Sequence, residues 1–231
     1  MRILAIGDIH GCSTAFEELI AAVDLQPEDR VVTLGDYVDH GPDSKGILNR
    51  LIALHYTGQL VALRGNHERM MLQAYKNSTW ELPWLNCGGD KTLASYSVTG
   101  KAGKLADVPD NHWDFLEKVC VNWYETDTHL FVHANAHPEM PLAEQPEHIL
   151  LWEPFEYVQR HCSGKTLVCG HTVQTSGLPR HIGYAVCIDT WVYGKGWLTC
   201  WDIISGRVWQ ANQSAEVRTT WINEFTSSVC K

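Results

Sequence analysis

Apolar residues fall along this chain in two rhythms. Residues 2–6, 30–34 and 60–63 are short, nearly continuous apolar runs, each followed within two residues by glycine. Runs of that length without alternation predict strands buried on both faces. Between them the spacing becomes helical. Phe16, Leu19, Ile20 and Val23 follow a Thr14-x-x-Glu17 capping signature, and Ile47, Leu48, Leu51 and Ile52 follow Ser44. The first 75 residues or so read as repeated strand–loop–helix units, which predicts a mainly parallel sheet.

The second half changes character. Residues 129–132 and 166–169 predict strands that run into histidines. Three more follow at short spacing, 184–188, 197–203 and 207–211, with Ser205-Gly206 suited to a hairpin. Pro138, Pro141, Pro146 and Pro154 punctuate a stretch that reads as loop, with 149–152 its only apolar run. No repeat or linker interrupts the 231 residues, so the reading is one domain, 1–231, a two-sheet sandwich with helices outside.

Composition narrows the function. The net charge of −9, without a Lys/Arg run, argues against nucleic acid as a partner and suits a collector of cations. No apolar stretch approaches the ~20 residues of a membrane span, and the N-terminal run is too short for a signal-peptide core. The eight cysteines contain no C-x-x-C pair and read as reduced thiols in a cytoplasmic protein, most of them small buried apolar residues.

Five segments place metal ligands where strands are expected to end. They are Gly7-Asp8-Ile9-His10-Gly11, Gly35-Asp36-Tyr37-Val38-Asp39-His40-Gly41, Gly65-Asn66-His67-Glu68, Val132-His133-Ala134 and Gly170-His171-Thr172. Ligands gather at the carboxyl ends of strands because the loops there leave a crevice. Cleaving a phosphate ester asks for this chemistry: two cations neutralise the phosphoryl charge and lower the pKa of a shared water. A mixed nitrogen and oxygen donor set favours Mn, Fe or Zn over Ca or Mg.

Gly-Asp-x-His-Gly, Gly-Asp-x-Val-Asp-x-Gly and Gly-Asn-His-Glu, in that order, resemble the signature of the calcineurin-like metallophosphoesterases, in particular the bacterial and phage-type serine/threonine protein phosphatases. The likeness spans residues 7–172, with Ile188-Asp189-Thr190 similar to the closing strand. It implies an α/β (α+β) fold, a four-layer αββα sandwich of two mixed β-sheets flanked by helices. It also implies two divalent metal ions, manganese first, and a phosphoprotein or small phosphoester as substrate. By the resemblance Asp8 and His10 hold the first metal and Asp36 bridges. Asn66, His133 and His171 hold the second. His67 is general acid, oriented by Asp39, and Arg64 reaches the phosphate.

Two positions depart from the pattern. His40 and Pro154 stand where the family carries phosphate-clamping arginines. Protonated His40, Lys165 or Arg160 are the candidate substitutes. The rival reading is a symmetrical diadenosine tetraphosphate hydrolase, against which Asp39 and Glu68 speak; a third is a metal-binding scaffold without turnover. Asn86-Cys87-Gly88-Gly89-Asp90 is a candidate wall of the site, and residues 137–160 a candidate lid. His55, His112, His129, His137, His148, His161 and His181 read as surface or solvated residues.

Overall fold

The computed structural model describes residues 1–99 and 103–225; Cys230 lies outside them. In chain order the elements begin with β1 (Ile3–Ile6), α1 (Ser13–Val23), β2 (Arg30–Thr33), α2 (Ser44–Tyr56), β3 (Leu60–Ala62) and α3 (Asn66–Lys76). Short helices follow: α4 (Glu81–Trp84), α5 (Asp90–Tyr96) and α6 (Asp110–Asp114). Then come β4 (Trp123–Glu125), β5 (His129–Val132), α7 (Glu147–Trp152) and β6 (Thr166–Cys169). The chain continues through β7 (Arg180–His181), β8 (Ala185–Cys187), β9 (Leu198–Asp202), β10 (Arg207–Ala211) and β11 (Val217–Trp221).

The strands form two mixed sheets. One has the order β11-β10-β9-β1-β2-β3, with β1, β2 and β3 parallel and the C-terminal strands antiparallel beside β1. The other has the order β4-β5-β6-β8-β7, with β5, β6 and β8 parallel. Side chains of successive strand residues point to opposite faces, and here both faces are buried. Ala5, Val32, Phe131, Val168 and Val186 meet between the sheets. Leu4, Ile6 and Val31 face the helices outside the first sheet, beside Phe16, Leu19, Ile47 and Leu51. Leu130, Val132, Leu167 and Cys169 face Leu142, Leu150, Leu151 and Phe155 outside the second. Three apolar layers between four layers of structure define the αββα sandwich, and they explain why the strands read as unbroken apolar runs. Truncating Phe131, buried completely in the middle layer, would cost about 3–5 kcal/mol.

Several expectations are corrected. Thr14 lies inside α1 rather than capping it; Cys12 takes the N-cap without a side-chain bond. The strands of the first half, β1, β2 and β3, are parallel as expected, but β9, β10 and β11 join them antiparallel, so the sheet as a whole is mixed rather than mainly parallel. Residues 137–160 are loop over only half their length: they hold α7 and 3₁₀ turns at Leu142–Glu144 and Phe155–Tyr157, and they pack as the outer layer of the second sheet. Edge strands β4, β7 and β11 carried too little apolar pattern to be read. His112 and His161 are buried rather than solvated. Their ring nitrogens are matched to Tyr96 and Asn49, and to Ser163 and the Met140 carbonyl. No helix among the described residues is long and apolar enough to cross a membrane.

Candidate metal centre

The carboxyl ends of β1, β2, β3, β5, β6 and β8 open onto one cleft, so each predicted ligand segment arrives there from its own strand. The loops turn sharply to do so. His10, Asp36, Asp39, His40 and His171 all adopt positive φ, between 46° and 72°. A left-handed residue other than glycine costs roughly 1–2 kcal/mol, and five of them at one cleft mark a place where geometry outweighs comfort.

Asp8, His10 and Asp36 offer ligand atoms within 4.8 Å of one another, and so do Asp36, His133 and His171. Asp36 is common to both groups. Its Oδ2 lies 3.5 Å from His10 Nε2 and its Oδ1 3.5 Å from His133 Nε2. Asn66 Oδ1 sits at the other end of the second group, 2.8 Å from His133 Nε2 and 3.0 Å from His171 Nδ1. The outer ring nitrogens are tied to backbone: His10 Nδ1 donates to the Val38 carbonyl and His133 Nδ1 to that of Leu34, both at 2.8 Å. These bonds fix the tautomer that leaves Nε2 free to bind a metal.

The family's metal pair fits these residues. Asp8 Oδ1 is buried and has no hydrogen-bond partner among the described residues, a deficit that a cation would correct. Burial, then the charges of Asp189 and Asp36, push the Asp8 carboxyl well above its ordinary range. Burial also raises Asp36 to about 6, with Asp189 and Asp39 adding to the effect and His67 opposing it. His10 and His133 are held well below the ordinary imidazole value, by burial first and neighbouring imidazoles next. Crowded carboxylates and neutral imidazoles are the donor set a divalent cation needs. Two glycines make room for it. A Cβ at Gly170 would lie 1.8 Å from Asp8 Oδ1, and one at Gly65 would lie 2.1 Å from Asp36 Oδ1.

His67 stands at the edge of this cluster, its Nε2 3.9 Å from Asp36 Oδ2. Its Nδ1 donates to Asp39 Oδ2 at 2.7 Å, so the proton free to leave is on Nε2. Burial alone would lower its pKa, but Asp36, Asp39 and Glu68 outweigh it and raise the group to about 9.

The structure places other residues differently. Arg64 does not join the cluster. Its guanidinium donates to the carbonyls of Leu116, Glu117 and Cys120 and to Asn122 Oδ1, securing the chain after α6. Lys165 is paired with Glu125 and Arg160 lies over the Tyr184 ring. His40 does stand beside His10 and His67, at ring separations of 4.9 and 5.0 Å. Burial and then His67 lower its pKa, so it brings no fixed positive charge. Asn86, Gly88, Asp90 and Lys91 line a cleft of about 500 Å³ with it, which puts the 86–90 segment beside the cluster as a wall.

Some neighbours of the cluster were not legible as such. Tyr193 stacks on His40 at 4.5 Å. Asp189 is buried near Asp8, its carboxyl raised to about 6 by burial. Glu68 accepts four backbone N–H groups, and Trp84 and Thr92 hold Asp39. Only Asp189, through Ile188-Asp189-Thr190, and Glu68, through its motif, left a signal in the sequence.

The fold and this cleft are those of the calcineurin-like phosphoesterases. The sequence model of that family matches residues 1–175, and the chain belongs to it. The family uses a dinuclear metal centre, and the two overlapping groups around Asp36 are the candidate ligands here. Among curated relatives, serine/threonine-protein phosphatase 1 of Salmonella typhimurium is 40% identical over 90 residues, 38% of this chain and 39% of the relative. The symmetrical bis(5'-nucleosyl)-tetraphosphatase of a Janthinobacterium species is 32% identical over 145 residues, 62% of this chain and 47% of the relative. The chain thus spans less than half the length of either. A crystal structure provisionally assigned as a diadenosine tetraphosphatase superposes with a TM-score of 0.68 at 19% identity, covering 95% of this chain and 94% of that one. At that identity it speaks for the fold alone.

Proposed function

We propose that this chain is a dinuclear-metal-dependent phosphatase acting on phosphomonoesters, with phosphoserine and phosphothreonine in proteins as its substrates. The observation that supports this reading best is the His67–Asp39 pair at 2.7 Å beside the ligand cluster. A serine alkoxide is a poor leaving group and benefits strongly from a proton delivered as the bond breaks, whereas a nucleotide phosphate leaves readily without one.

In this reading Asp8, His10 and Asp36 hold one metal, and Asp36, Asn66, His133 and His171 hold the other. The donor set suits manganese, with iron or zinc as substitutes. When bound, the pair neutralises phosphoryl charge and lowers the pKa of water. The chain's own residues do the rest. Glu68 and the backbone of 36–38 keep the Asp36 carboxylate aimed into the cleft. His67 Nε2 holds the proton for the departing oxygen, and Asp39 keeps the ring in that tautomer. In this reading Arg64 is a structural residue rather than a phosphate ligand, since Nε, Nη1 and Nη2 each already donate within the fold. Both sheets supply ligands, so residues 1–231 act as one domain. The setting that goes with this reading is cytoplasmic, on the pattern of cysteines in the sequence.

A symmetrical diadenosine tetraphosphate hydrolase is the second reading. His40, in place of a fixed cation, and the 62% of the chain aligned with an enzyme of that name favour it. Manganese-loaded protein assayed side by side on a phosphoserine peptide and on diadenosine tetraphosphate, with metal content measured, separates the two. Faster phosphate release from the peptide supports the phosphatase. Faster cleavage of the dinucleotide overturns it, and two bound metals with no turnover of either leaves a scaffold.

A further inference from the structure

Asp39 is gripped from a segment that carries none of the metal-ligand motifs. Trp84 Nε1 donates to both carboxylate oxygens, at 3.1 and 2.9 Å. Thr92 Oγ1 donates to Oδ1 at 2.7 Å and accepts the Asp39 backbone N–H at the same distance. Its single hydroxyl proton is committed to the carboxylate, so Ser44, 3.0 Å away, must donate to Thr92 in turn. Trp84 is 1% exposed, and Thr92, Asp39 and Ser44 are fully buried. The carboxylate therefore has no water-filled alternative, and its two oxygens are assigned: Oδ1 to Thr92, Oδ2 to His67, with Trp84 across both.

The grip also has to hold a strained backbone. Asp39 sits at φ 72°, a conformation that relaxes unless neighbours enforce it. Thr92 binds the residue at two atoms, the amide and the carboxylate, which fixes the direction in which the carboxylate meets His67. Between Trp84 and Thr92 the chain kinks at Cys87 and Gly88. There a Cβ on Gly88 would meet His40 Nδ1 at 2.8 Å, so the segment lies against the cleft as well as against Asp39.

We propose that Trp84 and Thr92 are positioning residues for proton delivery: they act through Asp39 to aim His67 Nε2 at the leaving-group oxygen. This inference rests on the reading of His67 as general acid. A group that only supports the fold would slow all substrates alike. A group that aims the acid matters most when the leaving group needs a proton.

The test compares phenyl phosphate, a poor leaving group, with p-nitrophenyl phosphate, a good one, on metal-loaded wild type, Thr92→Val, Thr92→Ser, Trp84→Phe and His67→Ala. Thr92→Val and Trp84→Phe should lower kcat on phenyl phosphate by about 10-fold or more and on p-nitrophenyl phosphate by less than about 3-fold, with metal content unchanged. Thr92→Ser, which keeps the hydroxyl, should restore most of the loss. In zinc-loaded protein the His67 Nδ1 proton should be seen by NMR in wild type and exchange faster with water in Thr92→Val. Equal losses on both substrates, or none on either, overturn the proposal while a steep leaving-group dependence in His67→Ala leaves the acid in place. A His67→Ala enzyme that treats both substrates alike removes the acid and this inference together.

Discussion

Glu68 Oε2 accepts the backbone N–H of Asp36 at 2.8 Å, and Oε1 accepts those of Tyr37 and Val38 at 2.7 and 3.2 Å. Oε2 also takes the Gly65 amide at 2.8 Å, closing the first turn of α3. One buried carboxylate thus clamps the loop that bears Asp36 onto the helix that bears Asn66 and His67. Burial, then Asp36, raises its own pKa to about 7, with the amide bonds opposing that rise. Asp36 is left-handed, at φ 50°, and this clamp holds it there.

Glu68→Ala should therefore cost on the order of 2–4 kcal/mol of stability, since four buried amides lose their acceptor. It should also weaken metal binding, because Asp36 is free to relax. Chemical denaturation and metal analysis of the same preparation test both effects. A variant that keeps two metals at wild-type affinity would show that Asp36 is held by something else.

Asp8→Asn separates stability from metal binding. Asp8, Asp36 and Asp189 crowd one buried space, and among the described residues Asp8 Oδ1 has no hydrogen-bond partner. Removing that charge should raise the melting temperature of metal-free protein by a few degrees and reduce the further rise produced by manganese. Melting curves with chelator and with excess manganese are the measurement; equal manganese shifts in both proteins would place Asp8 outside the ligand set. Gly170→Ala should behave similarly with manganese, because its Cβ would collide with Asp8 Oδ1.

Arg64→Ala should act on the fold. Three carbonyls lose a charged donor, a cost of about 2–3 kcal/mol. Below the melting transition, KM for a phosphoester should stay within about 2-fold of wild type. A rise of 10-fold or more would return Arg64 to the phosphate.

Lys91 lines the cleft beside His40, its Nζ 3.7 Å from Asp90 Oδ2. If the cleft takes the leaving side of the substrate, Lys91→Ala should raise KM for an anionic leaving group about 3- to 10-fold and leave phenyl phosphate unaffected. A KM unchanged for both substrates, or changed by the same factor for both, would remove Lys91 from leaving-group binding.

His112 sets a pH dependence away from the metals. Burial, then Lys45, lowers its pKa to about 4. Tyr96 and Asn49 hold it neutral at 2.7 and 2.9 Å. The folded chain thus binds this proton less readily than the unfolded chain, where about 6.5 applies. Its contribution is full above that value and is lost as pH falls toward 4, on the order of 3 kcal/mol across the window. His112→Gln should flatten the fall in urea midpoint between pH 7 and pH 4.5 relative to wild type. The metal cluster titrates in both proteins, so the difference isolates His112, and parallel profiles would deny it the role.

Much of this protein is determined by its sequence alone. The apolar runs at β1, β2, β3, β5 and β6 mark strands buried on both faces, because each residue there must find an apolar layer. The Gly-Asp, Gly-Asn-His, Val-His and Gly-His segments after those strands place Asp8, His10, Asp36, Asn66, His67, His133 and His171 at loop ends that converge on one cleft. These are local signals, written within a few residues of the groups they position. The tertiary structure decided what depends on partners remote along the chain. Trp84 and Thr92 hold Asp39 across separations of 45 and 53 residues, and nothing near either residue announces it. Arg64 sits one residue from a metal-ligand motif, yet carbonyls more than fifty positions away claim its guanidinium. A side chain as long as arginine has several destinations within reach. Which one it takes depends on which polar groups folding leaves unsatisfied around it, and that is known only once the chain has packed.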